Sequence, residues 1–520
     1  MNHHKSFYTL LFSLLTVIKV FSANIIITPG GTGDDTNLIQ AKLNGLQAGD
    51  TLLLNGNFVH KKTIYLPSNF HWILNGSLTL GNNAELDKVG WVQPGIDARR
   101  STGISEKPGG AVNIDMSGGT YYGNVASNTS SLRYINFVSV SNSYFHDMVI
   151  TDVSDDNFTL GPGSKTNKCQ KLTGSFSKTG NALTDKGEYN TWIDCVAAEC
   201  GSDGWTPKCK YSTFIRCVAQ NNAGPGFGMY AREEGYAGNK DVGAHIIGNR
   251  FIDCVSFGSK NSDGFSFDIS ANCPGGIIRD NYIQALCFEN NSSGVGFRNK
   301  DDAELGIIEN NEIDIVCYGN KGLRQDRINL STWAGGLGME NDGVSTRNII
   351  NNVYGSVVCY DNRVDVNTKG GHNCNIKVYH AEKENTPILA NSANNNNSVI
   401  VTGFKCSDIF ANWCQQKYCE LLTNTSVNAV YNFSELFSLS KLYPNPVNQK
   451  SLIEYVVPVE SFVSIKIFDI MGRELNTLVN EKKSYGVHAV HLNKSLLSAG
   501  SYFYRISIDN RVESTKFVLK

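Results

Sequence analysis

The chain has 520 residues, enough for a large buried core and more than one domain. Charged residues make up 18% of the sequence and the formal net charge is −2, so the chain lacks the basic surplus that would favour nucleic acid or an anionic membrane as partner. Its 50 glycines indicate many turns. The composition therefore favours a soluble, nearly neutral, β-rich protein with no nucleic-acid partner.

The first 23 residues have the features of a secretory signal peptide. Lys5 precedes an apolar run over residues 7–21, and two small residues follow it. The run is short and Lys19 interrupts it, which makes it a poor membrane span. No comparable apolar run occurs later. We therefore expect residues 1–23 to be removed and the mature chain to be exported without a transmembrane segment.

A short amphipathic helix is predicted near the start of the mature chain. Asp35 or Thr36 is suited to cap it, and Ile39 and Leu43 would lie on its apolar face. A helix at this point would cover the open end of a stack of strands, whose backbone edge otherwise stays unpaired.

The dominant pattern is a phrase that occurs four times between residues 192 and 300. Each copy has apolar residues around a cysteine, then a polar Asn/Gly/Ser stretch, then an apolar strand led by glycine or a turn residue. The copies cover 192–208, 214–230, 251–268 and 283–300. Self-similarity at this period, without a helical pattern, predicts a solenoid of stacked β-coils.

Six cysteines recur at matching places in the repeats and their fainter continuations. Flanking apolar residues predict that they form one inward column of small buried side chains, because metal-binding spacings such as CxxC are absent. Three further cysteines lie close together after the repeats and could form a disulfide. The column comprises Cys195, Cys217, Cys254, Cys287, Cys317 and Cys359, and the later group comprises Cys406, Cys414 and Cys419.

The last part of the chain, 436–520, has period-2 alternation and Gly-bounded turns that predict a small β-sandwich. Its YPNP, KIFDIMGRE, SAGSYFYRI and KFVLK segments resemble the C-terminal sorting domain of the Bacteroidetes type IX secretion system. The resemblance implies that the type IX machinery is a partner. It also implies a protein that is secreted or attached to the outer cell surface.

Residues 24–435 resemble the right-handed parallel β-helix of pectate-lyase-like proteins. The expected architecture is thus all-β, a right-handed parallel β-helix solenoid followed by the small β-sandwich. Many exported proteins with this resemblance cut polysaccharides, whereas others are adhesins or phage-type binding modules. Fold alone does not decide among these functions.

Strand alternation predicts which side chains of the repeats share a face. The large apolar residues of each closing strand, such as Phe265 and Phe267, should point inward. The residues between them should form two outward columns on an exposed ridge, with small residues leaving room for a glycan. These columns are Thr206, Gly228, Ser266 and Gly296, and beside them Lys208, Tyr230, Asp268 and Arg298.

The second column has the residue types needed for β-elimination in a uronic-acid polymer. Arg or Lys can neutralise the uronate carboxylate, and a crowded lysine or a tyrosine can act on the C5 proton. We predict catalytic roles for Lys208, Tyr230, Arg232, Asp268 and Arg298, and substrate binding by Glu233 and Lys300.

Two other functions stay open on the sequence. Asp268, Glu233 and Glu234 would suit a two-carboxylate glycoside hydrolase. A surface adhesion solenoid would need no catalytic group at all. In every case the expected partner is an extended polysaccharide.

The phrase SDGWTPK resembles the ADGFxxK phrase of family 9 pectate lyases, in which the aspartate binds calcium. The resemblance implies a calcium role for Asp203, and NSDGFSFD two coils later adds Asp263. The intervening coil reads GPGFGMY, where that family carries further aspartates. Calcium is therefore an expected cofactor on Asp203 and Asp263, and both pectate and alginate are candidate substrates.

Overall fold

The computed structural model describes residues 22–520 except for several internal segments. The segments left out are 91, 94–95, 98, 129–130, 233–243, 270–272, 274, 300–305, 321–335, 342–348, 361–365, 368–370, 382–388, 391–396, 405–439, 444–446, 448–450, 458–460, 471, 484–485, 493–496, 499, 509–510 and 520. Residues 1–21, Glu233, Glu234, Lys300 and the cysteines at 406, 414 and 419 lie outside the described residues, so the expectations attached to them remain predictions.

The helix Thr36–Gly45 follows the first strand, near the start of the described residues, as the sequence predicts. Ile39 and Leu43 are buried in the same hydrophobic core as the first strands. Asp35 is the N-cap residue, but its carboxylate accepts hydrogen bonds from the Gly30 and Val59 N–H groups instead of capping the helix. The helix therefore closes the end of the stack and is tied to its first long strand.

Parallel strands stack coil upon coil into a β-helix, which confirms the predicted solenoid. Among the described residues, the longest sheet has 17 strands. They are Asn24–Ile27, Thr51–Lys62, Phe70–Glu85, Ile114–Ser117, Thr120–Tyr122, Tyr144–Val153, Lys168–Ser177, Thr191–Ile193, Val196–Ala198, Thr213–Ile215, Val218–Gln220, Arg250–Phe257, Tyr282–Phe288, Glu312–Tyr318, Tyr354–Tyr360, Asn375–Ala381 and Ser398–Phe404.

The second face is a sheet that has 13 strands in the described part of the chain, and it carries the closing strands of the repeats. They are Ile64–Leu66, Lys88–Val89, Arg100–Glu106, Leu132–Phe137, Phe158–Leu160, Leu183–Asp185, Trp205–Pro207, Phe227–Ala231, Phe265–Ile269, Val295–Asn299, Leu337–Asn341, Val366–Asn367 and Leu389–Ala390.

Short sheets complete the coils. One has the strands His245–Ile247, Ile277–Arg279, Ile307–Glu309 and Ile349–Asn351; two-stranded pairs are Ala111–Val112 with Val140–Ser141 and Val92–Gln93 with Ile96–Asp97. Buried asparagines link successive coils side chain to side chain, for example Asn249 to Asn281 at 3.1 Å and Asn281 to Asn311 at 3.0 Å. These ladders satisfy polar groups inside the turns, where water is excluded.

The six repeat cysteines are buried, as predicted, and form no disulfide, but they do not lie in one column. Cys287, Cys317 and Cys359 are in register with one another. Cys254 is in register with Ala285, and a register shift follows Phe251 in the same strand. The cysteines therefore form two columns of three. The prediction aligned the repeats on the cysteine itself and did not allow for the extra residue that a bulge introduces.

A separate antiparallel domain follows. Its strands are Ser440–Tyr443, Leu452–Val457 and Gly486–His491 in one sheet and Ser461–Asp469, Glu474–Lys483, Gly500–Ile508 and Arg511–Leu519 in the other. Its core, which includes Ile465, Tyr504 and Phe517, is distinct from the core of the β-helix. The predicted small C-terminal β-sandwich is confirmed.

Candidate functional site

The predicted catalytic column lies on four neighbouring strands of the 13-stranded sheet. Tyr230 is in register with Asp268, and Asp268 with Arg298. Phe265 and Phe267, which alternate with these polar residues, belong to the hydrophobic core. The predicted division of each strand into an apolar inner side and a polar outer side is therefore correct. The column continues to Glu340, which is in register with Arg298 in the next strand.

The predicted exposure of this column is wrong for most of its members. Asp268 is 1% exposed, Arg298 is 2% exposed and Lys208 is 8% exposed. Tyr230 is half-buried, and Arg232, just beyond the same strand, is exposed. The polar row thus meets solvent at Tyr230 and Arg232, and its other members lie beneath the surface.

The reason for the burial is that carboxylates from the turns fold over the glycines of the sheet. A β-carbon at Gly228 would come within 2.5 Å of Asp203 Oδ2 and 2.6 Å of the Tyr230 ring. A β-carbon at Gly224 would lie 2.4 Å from the other carboxylate oxygen, Asp203 Oδ1. From the sequence, the small residue at Gly228 is expected to leave room for a glycan. This expectation is wrong, because the protein's own side chains fill the space beside Gly228.

Asp203 has the electrostatics of an acid–base group. It is 7% exposed, and the Thr206 hydroxyl lies 3.5 Å from its Oδ2. Burial raises the pKa of Asp203 from an ordinary 3.8 to about 7, although the nearby Lys208 ammonium lowers it. A carboxyl with this pKa exchanges a proton readily near neutral pH.

Burial also raises the pKa of Tyr230 well above its ordinary value, and the Asp203 and Asp268 carboxylates add to the effect. The phenol therefore stays protonated and is suited to donate a proton, not to remove one. The Lys208 ammonium lies close enough to Asp203 to lower the pKa of that carboxyl. The expectation of a lysine crowded by other cations stays a prediction.

An equivalent set of residues occurs two coils further along. A β-carbon at Gly296 would come within 2.7 Å of Asp263 Oδ2 and 3.3 Å of Arg298 Nη2. Asp263 forms a buried ion pair with Arg298 and also accepts a hydrogen bond from the Ser293 N–H at 2.9 Å. Arg298 donates to Ser266 Oγ at 3.2 Å and lies 4.0 Å from Asp268. Here an arginine takes the place that Tyr230 holds beside Asp203.

The residues assigned to calcium do not fit a single ion. Asp203 and Asp263 belong to coils with one coil between them, about 10 Å apart at the usual strand spacing, whereas calcium binds oxygens at 2.3–2.6 Å. The Asp263 carboxylate is already paired with a guanidinium. Among the residues that the structure describes, no group of three or more His, Cys, Asp or Glu side chains could hold a metal ion.

Sequence reasoning missed a third set, which lies toward the N-terminus on the same face. Arg133 Nε lies 3.0 Å from Asp156 Oδ2 and 4.0 Å from Asp155 Oδ2. Burial and the neighbouring Asp156 raise the pKa of Asp155. The Asn181 side chain donates to Asp156 at 3.1 Å and accepts from the Asp203 N–H at 3.2 Å, so this set is linked directly to Asp203.

A signal for this third set was present in the sequence. Asp156 stands two residues before its strand, as Asp203 and Asp263 do before theirs. Thr159 contacts Asp156 at 3.4 Å in the same way that Thr206 contacts Asp203. Aligning SDDNF with SDGW and SDGF would have placed all three aspartates in one column.

Comparisons with known proteins identify the C-terminal domain and leave the activity of the β-helix unassigned. Residues 441–520 match the family described as the secretion system C-terminal sorting domain, so the protein is secreted or attached to the cell surface. No helix in the described part of the chain is long and apolar enough to cross a membrane. A search of curated proteins found no match.

Three solved structures illustrate the similarity of the β-helix. The A-module of a mannuronan C-5 epimerase from Azotobacter vinelandii is 12% identical, with 73% of this chain and 95% of that chain covered and a TM-score of 0.46. A polygalacturonase from Erwinia carotovora is 12% identical, with 74% and 97% covered and a TM-score of 0.45. An alginate lyase from Paenibacillus is 10% identical, with 66% and 99% covered and a TM-score of 0.31. At these values the similarities assign no activity to this chain.

Proposed function

We propose that this protein cleaves a uronic-acid-containing polysaccharide of the pectate or alginate type by β-elimination at the row around Asp203. The observation that carries the proposal is a single buried carboxyl. Asp203 has a pKa of about 7 and lies beside a lysine and a tyrosine that stays protonated. Those three groups can supply a base, a charge neutraliser and an acid.

The roles follow from the charges. The Lys208 ammonium pairs with the uronate carboxylate and makes the C5 proton more acidic. Ionised Asp203 removes that proton; the C5–H electron pair becomes the new C4–C5 double bond, and the bond from C4 to the glycosidic oxygen breaks. The Tyr230 phenol then protonates the leaving oxygen. The step consumes no water.

Arg298 has a different role from the one expected on the sequence. It is held by Asp263 and lies close to Asp268, so its charge is already compensated. We assign it to the support of the strand ends and not to the substrate carboxylate. Tyr230 and the exposed Arg232 are where the row reaches solvent, and the glycan approaches there.

A glycoside hydrolase is the second candidate, and one observation favours it. The charge of a second carboxylate, Asp156, also raises the pKa of Asp203. A protonated Asp203 together with the Asp156 or Asp268 carboxyl group would supply the carboxyl pair of a hydrolase. In this candidate Asp203 donates a proton as the general acid, whereas in the lyase it removes a proton as the base.

Product analysis separates these functions. The purified protein is incubated with pectate, alginate and a neutral glycan, and the products are followed by ultraviolet absorbance and by reducing ends. Unsaturated products that absorb in the ultraviolet support the lyase. Reducing ends without that absorbance support the hydrolase. No product from any glycan overturns both and leaves a binding solenoid.

A further inference from the structure

An exposed pair of tyrosines lies at the corner where the coils leave the 13-stranded sheet. Tyr189 follows the strand Leu183–Asp185, and Tyr211 follows the strand Trp205–Pro207 in the next coil. Their rings are stacked, with centroids 5.1 Å apart and an angle of 17° between the planes. Tyr189 is 54% exposed and Tyr211 is 46% exposed. The two rings thus present an aromatic surface to solvent, which we call the tyrosine platform.

Both tyrosines have a left-handed backbone conformation, with φ of 57° at Tyr189 and 56° at Tyr211. This conformation is uncommon for a bulky residue, whereas asparagine, aspartate and glycine adopt it more readily. A residue held in such a conformation points to a function for its side chain. The corners in register in neighbouring coils also have positive φ but hold smaller residues, namely Asn142, Thr166, Gly248 and Asp280.

The next coil holds the platform in place. A β-carbon at Gly248 would come within 2.6 Å of Tyr211 Cδ1 and 2.9 Å of Cε1. The Tyr211 ring therefore lies over the position that a side chain at 248 would occupy, and it is stacked on Tyr189 as well. These contacts fix the ring without a ligand.

The platform is continuous with the row around Asp203. Tyr211 follows Lys208 by three residues in the same coil, which places their α-carbons at most about 11 Å apart. Beyond the tyrosines, Thr191 and Thr213 are in register with each other and half-buried, so their hydroxyls lie at the edge of the platform. A glycan that binds at Lys208 can therefore extend over the platform without leaving these two coils.

The charges beside the platform are balanced. Glu188, which precedes Tyr189, pairs in register with Lys165 on one side and Lys210 on the other. Its carboxylate lies 2.9 Å from Lys165 Nζ. The feature that distinguishes this corner is therefore the pair of rings, and an occupant is recognised by an apolar face and not by its charge.

A sugar ring fits such a surface. One face of a pyranose carries C–H groups that pack on an aromatic ring, and its hydroxyls can bond to the phenol and threonine hydroxyls around it. Two half-exposed tyrosines offer on the order of 200 Å², well below the roughly 800 Å² that each partner buries in a stable protein interface. The size of the platform thus favours a sugar over a second protein.

We propose that the tyrosine platform is a stacking subsite for a sugar ring of the polysaccharide, next to the part of the glycan that Lys208 binds. The inference rests on the proposed function, because that function places the glycan at Lys208. It adds recognition of the ring face to recognition of the uronate charge. The rings then contribute to glycan affinity and are not needed for the stability of the coils.

The test uses full-length protein carrying Asp203→Asn, so that binding is measured without turnover. The double variant Tyr189→Asn/Tyr211→Asn removes both rings and introduces a residue that tolerates the left-handed backbone. In calorimetry it should bind pectate and alginate oligosaccharides about fivefold or more weakly. Tyr189→Phe/Tyr211→Phe keeps the rings and should keep most of the affinity.

Phe176→Asn is the matched control. Phe176 is also an exposed aromatic residue with a left-handed backbone, at 61% exposure and a φ of 50°, but it lies near the far end of the strand Lys168–Ser177. Its replacement should leave the affinity unchanged. Circular dichroism checks that every variant is folded.

Unchanged affinity in the folded asparagine variant would overturn the stacking subsite, and so would an equal loss in the phenylalanine variant or no binding by the parent protein. A dimer that sediments as a monomer once both rings are removed would assign the platform to a second copy of the chain instead. The outcomes also separate the subsite from the proposed function. Unsaturated products from the wild type with unchanged affinity in the variant reject only the subsite. Weaker binding by the variant with no unsaturated product from the wild type rejects only the lyase.

Discussion

Asp203 Oδ2 lies 2.5 Å from the point where a β-carbon of residue 228 would lie. Glycine, which has no β-carbon, is therefore the only residue type at position 228 that leaves room for the Asp203 carboxylate. A β-carbon at position 228 would also lie 2.6 Å from the Tyr230 ring. The carboxyl is therefore enclosed between its own turn and the next strand. This enclosure removes water from Asp203 and raises its pKa to about 7.

The first prediction concerns that glycine. Gly228→Ala should displace Asp203 or Tyr230 and lower the free energy of unfolding by about 1–3 kcal/mol, as overpacking of a filled site does. Activity on the uronate polymer should fall with it. Gly45→Ala is the control, because nothing lies within 4 Å of a β-carbon there. Wild-type stability and activity in the Gly228 variant would show that the carboxylate lies elsewhere.

The second prediction is the pH profile of the reaction. Asp203 must be ionised to act as a base, so kcat/KM should rise about tenfold per pH unit below a midpoint near 7 and level off above it. If Asp203 acts as the general acid of a hydrolase, the same midpoint should mark a fall as pH rises. A flat profile between pH 5 and 9 would exclude Asp203 from either role.

The third prediction is the effect of Asp203 on stability. Its folded-state pKa is raised, so the folded protein holds a proton that the unfolded chain releases, and stability falls as pH rises from about 4 to about 7. Asp203→Asn removes this loss. At pH 8 it should raise the free energy of unfolding by on the order of 2–4 kcal/mol and at pH 4 change it little. Urea denaturation at both pH values measures this, and a destabilised variant at pH 8 would contradict it.

The fold could be predicted from the sequence because its cause is local and repeated. Alternating strands and Asn/Gly turns recur at one period, and each coil has only its neighbours to pack against. The inward position of Phe265 and the outward position of Asp268 follow from alternation alone. The division of the cysteines into two columns after Cys254 does not follow from alternation, because one bulge changes the register of the strands without changing the sequence repeat.

The candidate site could be predicted only in part. Its column of Lys208, Tyr230, Asp268 and Arg298 was identified, but its burial was not, because the groups that cover it come from turns that precede the strands. The role of Asp203 depends on Lys208 in the same coil and on the close approach of Gly228 in the next coil. No spacing within one coil encodes the approach of Gly228.

The fourth prediction concerns the buried ion pair between Asp263 and Arg298. Arg298→Met leaves the buried Asp263 carboxylate without its guanidinium and should cost about 3–5 kcal/mol of stability. Adding Asp263→Asn should restore part of that loss, since the buried charge is then removed. Chemical denaturation of both single variants and the double variant gives the coupling. Strictly additive effects would mean that the pair does not interact in the folded protein.

The fifth prediction concerns the cysteines. The eleven cysteines in the described part of the chain are buried and form no disulfide, and burial raises the thiol pKa of Cys195 and Cys217. With Cys406, Cys414 and Cys419 replaced by serine, the native protein should not react with a thiol reagent, whereas the denatured protein should expose all eleven. Fast reaction of native thiols would contradict the closed core.

The most direct test of the account is the activity of Asp203→Asn on pectate and alginate, followed by ultraviolet absorbance and reducing ends together. Asp280→Asn is the matched control, because Asp280 is exposed and has a positive φ of 57°, which asparagine tolerates. The account predicts unsaturated products from the wild type and the control, and a rate at least about 100-fold lower for Asp203→Asn with the fold intact. Wild-type turnover by folded Asp203→Asn would contradict it.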